Sequence, residues 1–77
     1  MYKLEQDFTI YRWDDFDQLV HDLVMGINTI PGMCATFTCK TKWLKKHCQV
    51  RVVGPEEKVR EAGNQIRKFI KEEYPDA

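Results

Sequence analysis

Residues 49–70 read QVRVVGPEEKVREAGNQIRKFI, and this stretch predicts a strand, a tight stop and a helix that packs on a sheet. Pro55 suits the first helical turn, where its missing N–H leaves no hydrogen bond unmade, while Glu56 and Glu57 suit the positive end of the helix dipole. One apolar stripe recurs at spacings of three and four residues and consists of Val59, Ala62, Ile66, Phe69 and Ile70. Gly63 lies beside this stripe and predicts a close approach between the helix and its neighbour.

The rest of the chain predicts two further strands and one further helix, so the element order is β-α-β-β-α. The first strand is expected over residues 8–13, with a start as early as Lys3, and Asp14 is the expected N-cap of the first helix. This helix should end near Asn28, before the turn that the Pro-Gly pair at 31–32 imposes. Its expected buried stripe consists of Phe16, Leu19, Val20, Leu23, Val24 and Ile27.

The second and third strands are predicted to form a hairpin, because both alternate between apolar and polar residues. The inward set of the second strand is Met33, Ala35, Phe37 and Cys39, and that of the third is Cys48, Val50 and Val52. Pairing Phe37 with Val50 keeps both inward sets on one face. The same register places Cys39 opposite Cys48.

These patterns predict an α+β fold with a single domain over residues 1–77. The expected architecture is a two-layer α/β sandwich, in which a three-stranded sheet carries both helices on one face. The third strand should lie between the other two, and the parallel crossover from the first strand to the second should be right-handed. The opposite face of the sheet would then be open to solvent.

The composition is that of an ordinary globular domain, with 43% hydrophobic residues, 31% charged residues and no net charge. No apolar run approaches the ~20 residues of a membrane span, and no signal-like segment opens the chain, so we expect no membrane partner. Three cysteines without a Cys-x-x-Cys pair are a poor disulfide framework. We therefore expect the protein in the cytoplasm or another reducing compartment.

Charge is distributed unevenly along the chain. Residues 1–39 carry six acids and two bases (net −4), residues 40–51 carry five bases and no acid (net +5), and residues 52–77 carry six acids and five bases (net −1). The basic segment includes an aromatic residue at the predicted hairpin tip, and cations beside aromatics suit phosphates and bases. The expected nucleic-acid contacts are Lys40, Lys42, Trp43, Lys45, Lys46, Arg51, Tyr11 and Trp13.

Other interpretations of the same residues remain open. Lysines at a hairpin tip also block edge-to-edge strand pairing and aid solubility. An open sheet face or an edge strand can instead recruit a protein partner or a second copy of the chain. The functional hypothesis is therefore a small non-enzymatic module that contacts single-stranded RNA or DNA. Its alternative is a protein-interaction or homo-oligomerisation module.

The sequence predicts neither a metal site nor a catalytic site. Four residues have the identities of zinc ligands: Cys34, Cys39, His47 and Cys48. A zinc site needs four converging ligands, but Cys34 and Cys39 should face opposite sides of one strand. His21, Asp17 and Asp22 are expected on the solvated side of the first helix. Since no phosphate loop or nucleophile motif is present either, we expect no enzyme activity and no cofactor.

Residues 47–71, about a third of the chain, resemble the last strand and helix of a KH domain. The matching residues are VRVVG at 50–54, followed by Glu56, Val59, Ala62, Ile66 and Ile70. A KH domain also has a Gly-x-x-Gly loop between two helices, which clamps the nucleic-acid backbone. Here the nearest segment is GINT at 26–29, and no second helix fits before the next strand, so no KH binding residue is carried over. The topology also resembles a ferredoxin-like plait without its final strand.

Overall fold

The chain folds into a three-stranded antiparallel sheet and two helices, in a computed structural model that describes residues 1–73. The elements are β1 Tyr2–Tyr11, α1 Phe16–Ile27, β2 Cys34–Lys42, β3 Lys45–Gly54 and α2 Glu56–Glu73. The strand order is β1-β3-β2, so β3 is central and antiparallel to both neighbours. The predicted element order and the predicted central position of the third strand are confirmed.

The β2–β3 hairpin has the predicted register, with the pairs Ala35–Val52, Phe37–Val50 and Cys39–Cys48. β1 pairs with the other edge of β3 along its whole length. Because successive side chains of a strand point to opposite faces, this register gathers the apolar residues of all three strands on one side of the sheet. The hairpin therefore decides which side of the sheet is covered.

Both helices cover that apolar side, with α1 over β2 and α2 over β1 and β3. The buried residues form one core, which consists of Phe8, Ile10, Phe16, Val20, Val24, Ile27, Met33, Ala35, Cys48, Val50, Val52, Val59, Ala62, Ile66 and Ile70. Each fully buried valine or isoleucine in it contributes about 1.5–3 kcal/mol of transfer free energy. Strands and helices all contribute to this core, as the two-layer prediction requires.

β1 differs from its predicted bounds at both ends. It begins at Tyr2 and ends at Tyr11, where the Asp14 N–H donates to the Tyr11 carbonyl (3.0 Å) and closes a turn. Trp13 therefore lies in the connection to α1 and not in the strand. The Asp14 carboxylate accepts a hydrogen bond from the Phe16 N–H (2.9 Å), although the N-cap position of α1 belongs to the residue between them.

α1 also departs from prediction in one core residue and makes one contact that the sequence did not indicate. Leu19 was expected in the core but is 48% exposed. Because successive helical residues are about 100° apart, Leu19 lies at the margin of the stripe centred on Val20. After the helix, the Asn28 side-chain amide donates to the Ala35 carbonyl and accepts from the Ala35 N–H, both at 2.7 Å. This contact satisfies a backbone pair of an edge strand.

The close approach predicted at Gly63 is confirmed. A Cβ at this position would lie 2.6 Å from Leu4 Cδ1 on β1, well inside van der Waals contact. Gly26, in α1, is different, because a Cβ there would meet nothing within 4 Å. The glycine of α2 therefore lies in a crowded site, and the glycine of α1 lies in an open one.

We expect Gly26→Ala to raise the free energy of unfolding by about 0.5–1 kcal/mol, the usual helix-propensity gain. Gly63→Ala should show no net gain, because the new methyl displaces the Leu4 side chain. Urea denaturation of both variants measures the difference. Adding Leu4→Ala should restore the gain of Gly63→Ala, measured against Leu4→Ala alone. Equal gains in the two single variants would contradict the crowded contact.

Candidate functional site

The side of the sheet that faces away from the helices is open to solvent. The strand register places the following residues on it, and none of them is buried: Lys3, Glu5, Asp7, Thr9, Tyr11, Cys34, Thr36, Thr38, Lys40, Lys42, Lys45, His47, Gln49, Arg51 and Val53. The open face expected from sequence is therefore real. Its acidic residues, Glu5 and Asp7, lie on β1, and its lysines, apart from Lys3, lie near the hairpin turn.

Six residues gather at the hairpin end of the open face, and we call them the basic platform: Tyr11, Trp13, Lys40, Lys42, Trp43 and Lys45. Tyr11 lies beside Lys45, which in turn pairs with Lys42. The Tyr11 and Trp13 rings are stacked, with centroids 5.0 Å apart and planes 5° apart. Lys45 Nζ lies 6.0 Å from the centroid of the Tyr11 ring, at the outer limit of a cation–π contact.

The aromatic side chains of the platform present their surfaces to solvent. Tyr11 is 48% exposed, Trp13 is 68% exposed and Trp43, at the hairpin tip, is 85% exposed. These exposed rings do not pack in the core, which is formed by the residues beneath the helices. A planar ligand could stack on the outer ring of the Tyr11–Trp13 pair without displacing any core residue.

Trp43 has an unusual backbone conformation. It is the first residue of the two-residue turn, and its φ of 61° is the one positive φ of a non-glycine residue in the described part of the chain. A positive φ at this position is typical of a type II′ hairpin turn, in which glycine is the preferred residue. Side chains in the left-handed region cost about 1–2 kcal/mol, so an exposed tryptophan is held here at the expense of stability.

Lys46 does not join the platform, although the sequence predicts it as a nucleic-acid contact. Its side chain lies on the helix side and donates to the Asp14 carbonyl (2.8 Å) and to Asp17 Oδ1 (3.2 Å). The side chains of Lys46 and Asp17 are only 19% and 14% exposed. The strand alternation contains the signal for this placement, because Lys46 is two residues before the inward Cys48. Asp17, expected on a solvated helix face, is the partner that makes the placement favourable.

Arg51 lies on the open face but apart from the platform. It is six residues from Lys45 along β3, which corresponds to about 20 Å. Its guanidinium is 3.5 Å from a carboxylate oxygen of Glu5, which neutralises part of its charge, and Lys3 approaches the same carboxylate at 3.6 Å. The eight predicted contacts therefore divide into six at the hairpin end, one on the helix side and one at the far end of the open face, paired with Glu5.

Two residues beside the platform were not predicted as contacts. His47 and Thr9 face each other across β3 and β1, with 3.4 Å between His47 Nδ1 and Thr9 Oγ1. Lys40, a member of the platform, pairs with His47 from the other side, so Thr9 and His47 continue its row across the sheet. The alternation of β3 could have identified His47, because its neighbour Cys48 points inward.

The cysteines and His47 do not converge on one point. Cys39 and Cys48 lie on the helix side, whereas Cys34 and His47 lie on the open face, as the strand alternation predicts. Within residues 1–73 no group of three or more His, Cys, Asp or Glu residues could hold a metal ion. Burial raises the pKa of the Cys39 and Cys48 thiols above the usual value.

A shallow groove of about 330 Å³ lies between α2 and the outer edge of β1, away from the platform. Its lining consists of Tyr2, Leu4, Arg60, Asn64 and Arg67. The Arg60 guanidinium lies 5.4 Å from the centroid of the Tyr2 ring, and Arg67 Nε donates to the Gln6 side chain (3.2 Å). The groove is thus a second polar surface, beside an edge strand.

Comparison of the chain with protein-family models, with curated proteins and with solved structures finds no match. The resemblances to part of a KH domain and to a truncated ferredoxin-like plait therefore stay predictions. Neither of the helices that the structure describes is both long enough and apolar enough to cross a membrane.

We expect Lys46→Met to lower the free energy of unfolding by about 1–3 kcal/mol, because it leaves the partly buried Asp17 carboxylate without its cation. Lys42→Met is the matched control, since it removes the same charge from an exposed position and should change stability by less than about 0.5 kcal/mol. Chemical denaturation measures both variants. Equal effects of the two substitutions would contradict the placement of Lys46.

We expect Trp43→Gly to raise the free energy of unfolding by about 1 kcal/mol, because glycine adopts a positive φ without strain. Leu44→Gly is the control within the same turn, and it should destabilise the hairpin because the φ of Leu44 is not positive. Thermal denaturation of the two variants compares the positions. A loss of stability in Trp43→Gly would rule out strain at this residue.

Proposed function

We propose that this protein is a small non-enzymatic binding module that holds single-stranded nucleic acid, RNA in the first instance, on the basic platform. The observation that supports this function best is the stacked Tyr11–Trp13 pair beside Lys45 and Lys42 on an open sheet face. Proteins that bind single strands combine such aromatic surfaces with cations that follow the phosphates. The proposal assigns no catalytic residue, no metal and no cofactor.

The charges of the open face limit where the nucleic acid lies. Lys40, Lys42 and Lys45 are exposed, and none of them has an acidic partner within ion-pair distance among residues 1–73. Farther from the turn, Glu5 and Asp7 balance the charges of Lys3 and Arg51, so this part of the face attracts phosphates less. A strand of RNA would therefore occupy the hairpin half of the sheet and avoid the half that contains Arg51.

The aromatic residues set the binding affinity that we expect. Stacking of one base on an aromatic side chain is worth about 1–3 kcal/mol. One base on the Trp13 ring and one on Trp43 would give a weak, sequence-tolerant interaction with added affinity from three lysines. Such binding depends on salt, because cations that contact phosphates release counterions from the nucleic acid.

A protein-interaction module is the second candidate, and the free edge of β1 favours it. β1 and β2 are the edge strands of the sheet, so each has one side without a strand partner within the described chain. The β1 edge adjoins the groove that contains Arg60 and Arg67, which suits an acidic extended segment added as a fourth strand. A cytoplasmic or other reducing location fits either function, because Cys34, Cys39 and Cys48 are free thiols.

Titration of fluorescent RNA and DNA oligonucleotides of about eight nucleotides tests the proposed function. Binding should weaken with salt, with a log–log slope of about −2 for three phosphate contacts at about 0.7 each. Lys45→Glu and Trp13→Ala should each reduce the affinity about tenfold, whereas Lys58→Glu, the same charge change on α2, should have no effect.

Mapping the contact by NMR chemical shifts shows whether the oligonucleotide binds at the basic platform or elsewhere on the molecule. Chemical shifts of the platform should move on titration, while those around Arg51 and Glu5 should stay in place. The absence of binding at low salt, or equal effects of Lys45→Glu and Lys58→Glu, would reject the proposal. Shifts along the β1 edge on addition of an acidic peptide would instead support the protein-interaction candidate.

A further inference from the structure

Two of the three thiols face each other across the hairpin. Cys39 and Cys48 are direct partners in the β2–β3 ladder, and their sulfur atoms are 2.6 Å apart. Directly opposed residues in an antiparallel pair have Cα atoms about 4.5–5.5 Å apart, which lies within the range of about 4.4–6.8 Å that a disulfide requires. The side chains already point at each other, so a bond needs no movement of the backbone.

The two thiols differ in access. Cys48 is 2% exposed, because it is on the central strand and lies opposite Phe8 on its other side. Cys39 is exposed, since β2 is an edge strand. A small reagent therefore reaches Cys39 from solvent, and Cys48 stands directly behind it. An accessible thiol next to a resolving thiol is one feature of redox-sensitive cysteine pairs, whereas the low thiol pKa of many such pairs is not shared here.

We propose that Cys39 and Cys48 are a reversible redox site, which a low-molecular-weight disulfide such as oxidised glutathione converts to an intramolecular disulfide. The Cys39 thiolate attacks one sulfur of the reagent, and the other half leaves as a thiol. The Cys48 thiolate then attacks the Cys39 sulfur of this mixed disulfide and releases the second half as a thiol. The protein loses two electrons and two protons, and the reagent gains them as two thiols.

The bond would close the part of the hairpin that contains the turn. Residues 40–47 form the enclosed loop, which includes the strained Trp43. Cross-linking a loop of this length stabilises a protein by restricting its unfolded state. The redox site thus controls how firmly the tip of the hairpin is held. The thiol pair can act in this way whether or not the protein binds nucleic acid.

The surroundings of the thiols slow the reaction near neutral pH. Burial raises the pKa of Cys39 and of Cys48. The hydrogen bond between the two thiols lowers the pKa of Cys39 and raises that of Cys48, while Asp17 raises both and Lys46 lowers both. The charged groups that act on the pair are thus Asp17 from α1 and Lys46 from β3, while Phe8 from β1 is apolar. Since only the thiolate reacts, the rate should rise about tenfold per pH unit between pH 7 and 9.

Incubation of the whole chain with oxidised glutathione, followed by alkylation and peptide mass mapping, tests the site. We expect Cys39 and Cys48 to become protected together as one cross-linked peptide, while Cys34 stays open to alkylation or to simple mixed-disulfide formation. Cys34→Ser should behave like the parent chain. Cys48→Ala should stop at the mixed disulfide on Cys39, and dithiothreitol should reverse every product.

A second measurement reports on the fold. Formation of the cross-link should raise the urea midpoint of the parent chain and of Cys34→Ser by about 1–2 M, with no shift in Cys39→Ser, whose exposed position tolerates the change. Asp17→Asn should speed the reaction at pH 7.5, because it removes the negative charge that opposes thiolate formation. A cross-link that involves Cys34, a disulfide between two chains, or no internal cross-link at pH 9 would overturn the proposal.

Discussion

The register between β2 and β3 is the constraint on which the rest of the structure depends. A slip of one residue would turn every side chain of a strand to the opposite face. In the observed register Val50 and Val52 are fully buried together with Ala35, and the helices have a continuous apolar surface to cover. The same alternation places the exposed lysines on the other side. Core and candidate binding surface are thus two consequences of one pairing.

The hairpin end of the sheet combines contacts of opposite character. On the helix side, Lys46 is fixed to the start of α1 by Asp17, and the facing thiols of Cys39 and Cys48 lie near this ion pair. On the open side, Lys45 and Tyr11 are exposed and have room to contact a ligand. Lys46 therefore stabilises the junction of sheet and helix, whereas Lys45, the adjacent residue of the same strand, faces solvent.

The candidate surface has a boundary because the charges of the open face are uncompensated lysines near the hairpin turn and a balanced set of acids and bases farther away. Glu5 holds Arg51 and approaches Lys3, so the far end of the face satisfies its charges internally. The exposed lysines near the turn have no such partners in the described part of the chain. An anionic ligand would therefore find a favourable potential only at the hairpin end. Trp43, whose backbone is strained, lies at the same hairpin end of the face. Strained residues cluster at functional sites.

Local sequence signals determined the five elements, the hairpin register and the side of the sheet that the helices cover, and the glycine at position 63 indicated the close approach of α2 to the sheet. Apolar residues recur at every second position in the strands and at every third or fourth position in the helices. This spacing decides which face of each element is buried. The tertiary structure decided that Tyr11 stacks on Trp13, that Asp17 takes Lys46, and that Glu5 takes Arg51. These contacts join residues distant in sequence or depend on the path of a turn. Their energies of about 1 kcal/mol are too small to shape the sequence pattern, so only the assembled fold reveals them.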